Sequence, residues 1–358
     1  MRVLIADDSA FMRKVLTQMF SSGRGFEVVG TARNGVDAVA KVKELDPDIV
    51  TMDVEMPEMN GLTALRKIRA EHGRTRPAVL MCSTLTAEGS QTAILALNAG
   101  AADVIAKEHL GVGEENEAFR AELLSKVRAI GLHVSRASRP DAPKPHVPER
   151  LSSATVRTRG LDAVVIGSST GGPPVLERIV ESLDGRPTAP IFIAQHMPAL
   201  FTKSLATRLD GVGAATVKLA EDGERAAPGT VYIAEGGKHL RVRQSRGEVR
   251  LEVSSTPADA LYKPSVNELF SSAASVYGRR ALGVMLTGMG DDGCEGARAM
   301  HAAGAQIVAQ TAESCVVYGM PRAVVEAGVA TAAMGIEQIG SLVSQASGCI
   351  GAGLRRTA

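Results

Sequence analysis

Tryptophan is absent from this 358-residue chain, and aromatic residues make up only 3% of it. Its cores must therefore rest on aliphatic side chains and alanine. Cysteine is scarce, and Cys82, Cys294, Cys315 and Cys349 are scattered without C-x-x-C spacing. That pattern suggests neither a zinc site nor a disulfide framework. Neither sign of charge dominates: 40 basic and 39 acidic residues leave a formal net charge of +1, so there is no broad basic field for nucleic acid. No apolar run approaches the length that crosses a bilayer, and the N-terminus meets an acidic pair after a short apolar stretch. These features predict a soluble, cytoplasmic chain without direct membrane insertion, long enough for two domains of ordinary size.

The most informative stretch present is VVIGSSTGG, residues 164–172. A buried apolar strand runs into Gly167-Ser168-Ser169-Thr170-Gly171, which meets the G-x-S-x-G pattern, and Pro173 and Pro174 stand where a helix would begin. Such a turn lifts one hydroxyl above the sheet edge and aims backbone N–H groups at whatever binds there. Gly- and Ser-rich turns after strands also hold phosphates or merely close a loop, so the motif needs company.

Two later segments supply it. In IFIAQHMP (191–198) His196 follows a short strand, and in GVMLTGMGDDG (283–293) Asp291 and Asp292 lie in the turn after another. The functional crevice of an open parallel α/β sheet lies outside the carboxyl ends of its strands, so Ser, His and Asp at three such ends can meet. A serine hydroxyl needs an imidazole to take its proton, and the imidazole needs a carboxylate to fix its tautomer and stabilise its cation. A lone His is more often a hydrogen-bonded loop residue, and Asp in a Gly-rich turn is usually turn chemistry. Spacing alone does not choose between Asp291 and Asp292.

The first 131 residues alternate strand and helix patterns. Residues 3–6, 27–30, 48–52, 78–82 and 103–106 read as short apolar strands, with helical patterns between them such as 9–20 and 34–45. This predicts a five-stranded parallel sheet covered on both faces. Asp7, Asp8 and Asp53 fall at strand ends and would repel one another unless a cation shares them; hard Mg²⁺ with oxygen ligands suits the cluster. Lys107 follows the fifth strand. Taken singly, these acids read as helix caps, for which Asp8 and Ser9 both qualify.

Both halves carry resemblances. GSSTGG, AQHMP, PGTVYIA, GGKHL, KPSV, LTGMG-DDG and SCVVYGMP, in that order, resemble the catalytic domain of the chemotaxis protein-glutamate methylesterases. The resemblance implies Ser169 as nucleophile, His196 as base and Asp292 as its carboxylate partner. It also implies that the backbone N–H of Met289 serves the oxyanion and that Thr170 lines the site. MDVEMPEMNG around Asp53 is similar to the phosphoacceptor loop of two-component receiver domains, a flavodoxin-like doubly wound fold. That resemblance implies phosphorylation at Asp53, Mg²⁺ held by Asp7, Asp8, Asp53 and the backbone carbonyl of Glu55, and Ser83 and Lys107 as switch residues. It implies no cofactor for the esterase half. Departures are visible: Val104 replaces the usual aromatic switch residue, Glu108 replaces proline after Lys107, and Tyr262, Lys263 and Asn267 stand in the segment before and after Pro264-Ser265-Val266.

The expected organisation is a receiver over 1–131, a Pro-, Ser- and base-rich linker over 132–160, and a parallel-sheet α/β catalytic domain over 161–350. Strand patterns in 231–253 flank the turns EGGK and SRGE, which predicts antiparallel hairpin additions to that sheet. By resemblance the substrate is methylated glutamate on chemoreceptors, with possible deamidation of receptor glutamines. The phosphodonor is a chemotaxis histidine kinase, and the unphosphorylated receiver covers the esterase cleft. The alternative is a receiver-linked protein that binds or scaffolds without catalysis.

Overall fold

The computed structural model describes residues 1–73, 76–84, 86–107, 114–137, 151 and 155–349. They divide into two compact units, with the division between Lys144 and Pro145.

The first unit runs β1 (Arg2–Ala6), α1 (Ala10–Ser22), β2 (Glu27–Ala32), α2 (Gly35–Leu45), β3 (Ile49–Asp53), α3 (Gly61–His72), β4 (Ala78–Ser83), α4 (Ala87–Asn98), β5 (Asp103–Ala106) and α5 (Glu114–Ala137). Its five strands form one parallel sheet in the order β2-β1-β3-β4-β5, the expected doubly wound arrangement. Small polar side chains start the helices: Ser9 accepts from Met12 N, Asn34 from Asp37 N, Asn60 from Thr63 N and Thr86 from Gly89 N. The α1 cap is thus Ser9, which leaves Asp7 and Asp8 for other work. Helix α5 continues to Ala137, past Gly131 and into the segment read as linker. Residues 138–150 and 152–154 of that segment, and Glu108, lie outside the described residues.

The second unit runs β6 (Ala163–Ser168), α6 (Gly172–Glu181), β7 (Ile191–Gln195), α7 (Ala199–Asp210), β8 (Thr216–Leu219), β9 (Thr230–Ile233), β10 (His239–Ser245), β11 (Glu248–Ser254), α8 (Val266–Tyr277), β12 (Ala281–Met285), α9 (Cys294–Ala302), β13 (Gln306–Gln310), α10 (Met320–Glu326), β14 (Ala332–Met334) and α11 (Ile336–Ala346). Seven strands make one parallel sheet in the order β14-β13-β12-β6-β7-β9-β8. Strands β6, β7, β9 and β12 are buried along their whole length, which is why they read as unbroken apolar runs. The scarce aromatics are concentrated beside them: Phe192 stacks on Tyr232 at 5.6 Å and lies 6.4 Å from Tyr277.

The hairpin expectation holds for one turn only. SRGE joins β10 to β11 in an antiparallel pair that forms its own two-stranded sheet. EGGK instead leads from β9, a parallel member of the large sheet, into β10. Burial explains the difference. All four residues of β9 are buried, as an interior strand requires, whereas the hairpin buries Leu240, Val242 and Leu251 on one face and His239 at its start. Val242 N also donates to Ser272 Oγ of α8 at 3.1 Å, tying the hairpin to that helix.

Candidate active site and phosphoacceptor site

In the seven-stranded sheet, the chain proceeds from β6 to β7 on one side and later returns with β12 on the other. The reversal opens a crevice beyond the carboxyl end of β6, where ligands bind in sheets of this kind. Ser169 follows β6, His196 follows β7, and Asp292 lies in the loop between β12 and α9. The register Ser168↔Gln195 carries on into the loops, and His196 N donates to Ser168 O at 3.1 Å.

The turn after β6 is braced from three sides. Ser169 N donates to Thr287 O at 3.0 Å, and Gly172 N closes the turn onto Ser169 O at 2.8 Å. Gln195 Nε2 donates to the main-chain oxygens of Ser169 and His196 at 3.0 and 3.2 Å. Gly171 sits at φ +78°, a left-handed conformation that favours glycine, so the chain can bend sharply into α6. Among the described residues no hydrogen bond is formed by Ser169 Oγ, whereas Ser168 Oγ is turned inward onto Gln195 Oε1 at 2.6 Å.

His196 Nε2 meets Asp292 Oδ2 at 2.8 Å, and Nδ1 is buried without a partner. Asp292 is held further by Val266 N at 2.7 Å, Asn267 N at 3.1 Å and Ser265 Oγ at 3.0 Å. These groups are the cap and first turn of α8, so the carboxylate rests at a helix N-terminus. Burial pushes the Asp292 carboxyl up, but the hydrogen bond and charge of His196 and the two backbone N–H groups outweigh it and hold the carboxyl below its ordinary range. Asp291 is exposed, and its carbonyl accepts from Cys294 N at 2.9 Å. The geometry therefore separates two acids that spacing could not.

Thr170 is buried, and its carbonyl accepts from Thr287 Oγ1 at 2.9 Å. Met289 is half-buried in the loop before α9. That loop is fixed at Gly288, whose N–H donates to Val317 O and whose carbonyl accepts from Gly319 and Met320, each at 3.0 Å.

The five-stranded sheet reverses between β1 and β3, and the acids gather there. Ligand oxygens of Asp7, Asp8 and Asp53 lie within 4.8 Å of one another. Lys107 Nζ bridges Asp7 Oδ2 and Asp53 Oδ2, both at 2.7 Å. Burial raises the Asp53 carboxyl above its ordinary value, opposed chiefly by the charge of Lys107 and reinforced by that of Asp7. Burial works against the Lys107 ammonium, but the charge of Asp53 leads the effects that raise it. Gly61 is required where α3 starts, because a Cβ there would lie 1.9 Å from Asp53 O. Glu55 is exposed, and its N–H bonds to the Asp53 carboxylate. Ser83 Oγ donates to Thr84 O at 3.0 Å. Three hard oxygen donors at one edge suit a hard divalent cation.

Several site residues were not singled out from sequence. Gln195 ends an otherwise apolar buried strand, and a buried amide must find partners; that was a usable signal. Ser265-x-x-Glu268 has the pattern of a helix start, but nothing in it announces a bond to Asp292.

Fold and site together define a phosphoacceptor receiver joined to a parallel-sheet domain with a serine-hydrolase constellation. The family model for CheB methylesterase matches residues 164–343, and that for the response regulator receiver domain matches residues 3–111. The chain belongs to the CheB methylesterase family and carries an N-terminal response regulator receiver domain. It is 45% identical over 367 residues to the protein-glutamate methylesterase/protein-glutamine glutaminase 1 of Oleidesulfovibrio alaskensis, covering 96% of this chain and 99% of the relative. It is 41% identical over 351 residues to the enzyme of that name from Geobacillus kaustophilus, covering 97% and 99%. The crystal structure of the Thermotoga maritima CheB methylesterase catalytic domain matches with a TM-score of 0.50 and 42% identity, over 52% of this chain and 98% of that one. These likenesses favour the enzyme over a non-catalytic scaffold. No helix among the described residues is long and apolar enough to cross a membrane.

Proposed function

We propose that this chain hydrolyses glutamate γ-methyl esters on chemoreceptors, under the control of phosphorylation at Asp53. The observation that carries the reading is the His196–Asp292 pair beside Ser169, with Nδ1 of His196 buried and unpartnered. With Nε2–H donating to the Asp292 carboxylate, Nδ1 presents a bare lone pair. It takes the proton of Ser169 as Oγ attacks the ester carbonyl, and Asp292 stabilises the imidazolium that forms. The Met289 N–H, with Thr170 lining the site, receives the oxyanion. The proton then passes from His196 to departing methanol, and water attacks the acyl-serine by the same route to leave glutamate. An amide in place of the ester would lose ammonia, which accounts for glutamine deamidation.

In the receiver, a carboxylate oxygen of Asp53 attacks the phosphorus of a phosphohistidine on a chemotaxis histidine kinase, the P–N bond breaks, and the kinase's imidazole leaves. Lys107 pairs with the transferred group, and the Ser83 hydroxyl turns from Thr84 O to bond it. Asp7, Asp8, Asp53 and the carbonyl of Glu55 would hold Mg²⁺, which would neutralise negative charge during phosphoryl transfer. The functional division is a receiver over 1–131 and a catalytic domain over 161–350, with the last turns of α5 extending into the joining segment. Methanol release from methyl-labelled receptor membranes, with and without acetyl phosphate, tests the reading. No release in either condition would overturn it.

A further inference from the structure

Tyr262 lies flat against the imidazole of His196, with ring centroids 4.3 Å apart and planes inclined by 8°. The segment that carries it is anchored on both sides. Lys263 O accepts from Gly237 N at 3.0 Å, and Ser265 N donates to Nδ1 of the buried His239 at 3.2 Å. The phenol reaches toward the loop that carries Met289, since a Cβ on Gly290 would stand 3.4 Å from its Oη. Next to it in sequence, Leu261 is 85% exposed, while the His196 side chain beneath the ring is only 8% exposed. The aromatic ring, and not its apolar neighbour, closes over the histidine.

We infer that Tyr262 is a positioning residue for His196: its π face favours the imidazolium over the neutral imidazole and keeps the ring plane set with Nε2 on Asp292. The inference rests on the reading of His196 as the base. An aromatic face carries partial negative charge and attracts a cation stacked on it more than a neutral ring. In the proposed reaction His196 gains positive charge as it takes the proton of Ser169, so the contact strengthens toward the transition state and raises kcat more than it alters binding. The stack also opposes rotation of the imidazole about Cβ–Cγ, which would carry Nε2 away from Asp292 and leave Cε1 in its place.

The test measures kcat and KM for methanol release from methyl-labelled receptor membranes by the full chain and by Tyr262→Phe, Tyr262→Leu, Ser169→Ala and His196→Ala. Tyr262→Leu should lose about tenfold in kcat with KM unchanged, and Tyr262→Phe should restore it to within about twofold, as a cation–π contact of ordinary strength implies. The His196 ring protons should show upfield ring-current shifts in the wild type and Tyr262→Phe, and lose them in Tyr262→Leu. Tyr262→Met carries the same comparison should the leucine variant fail to fold. Full kcat in the leucine variant, an equal loss in Tyr262→Phe, or a change confined to KM would each overturn the inference. Activity surviving in Ser169→Ala or His196→Ala would instead overturn the reading of the site on which it rests.

Discussion

The hydroxyl of Ser168 donates to Oε1 of Gln195 at 2.6 Å, and both residues are buried. This bond gives the two adjacent serines different work. Ser168 is committed to the interior, whereas the buried Ser169 keeps its hydroxyl free of hydrogen bonds among the described residues. Ser169→Ala should therefore lower kcat by about a millionfold with little change in melting temperature. Ser168→Ala should do the reverse, reducing stability by about 1–3 kcal/mol through the unpaired amide oxygen and lowering kcat far less. Steady-state kinetics and urea unfolding of the two variants check the assignment; a greater kinetic loss at Ser168 would sink it.

Gln195 is the other half of that arrangement. Its amide holds the carbonyls of Ser169 and His196 together, so it sets the distance between two strand ends. Gln195→Glu replaces a donor to two carbonyls with a carboxylate that can only accept. The variant should unfold at lower urea concentration, by at least about 1–3 kcal/mol, and lose kcat with it. Wild-type kinetics in Gln195→Glu would show that the strand ends hold their places unaided.

Asp292 is expected to matter to both catalysis and stability. Asp292→Asn removes the charge that stabilises the imidazolium and should cost about 10⁴ in rate, while Asp291→Asn is nearly silent. The structure adds a pH dependence. The carboxyl titrates below its ordinary value of 3.8 in the folded protein, so its ionised form stabilises the fold. That contribution is complete above about pH 5 and is lost as pH falls through 3.8 toward the lower folded value. Urea midpoints measured from pH 6 to pH 3 should fall less steeply for Asp292→Asn than for the wild type. Parallel curves would mean that other carboxylates carry the acid limb.

The sheets and the strand-end acids were legible because strands buried on both faces announce themselves as apolar runs, and because parallel sheets put their chemistry at the carboxyl ends. Ser169, His196, Asp7, Asp8 and Asp53 could be placed on those two rules. What stayed hidden depends on residues distant in sequence. The choice of Asp292 over Asp291 by geometry needs the first turn of α8, more than twenty residues earlier in the chain, to close onto its carboxylate. Tyr262 reads as a surface departure until its ring is seen on His196. Strand β9 was misread as part of a hairpin because a Gly-Gly turn marks a reversal of direction without saying which sheet the next strand enters.

The last prediction concerns the receiver. Ser83 Oγ bonds Thr84 O, and Val104 lies buried in β5 beside Met81, with no aromatic ring there to swing between two positions. On the proposed reading, the response to phosphorylation begins with the Ser83 hydroxyl and with the Lys107 ammonium, which pairs with Asp7 and Asp53 before transfer. Acetyl phosphate with Mg²⁺ should raise methanol release; EDTA or Asp53→Asn should abolish the rise and leave basal release intact. Ser83→Ala should still become phosphorylated, yet respond less. A phosphoryl group shifts the population only by its differential stabilisation of two states, and about 1.4 kcal/mol is needed for each tenfold change. Losing one charge-assisted hydrogen bond, about 1.5–3 kcal/mol, is thus enough to remove a tenfold activation. A Ser83→Ala variant that is phosphorylated and activates like the wild type would place the switch elsewhere in the receiver.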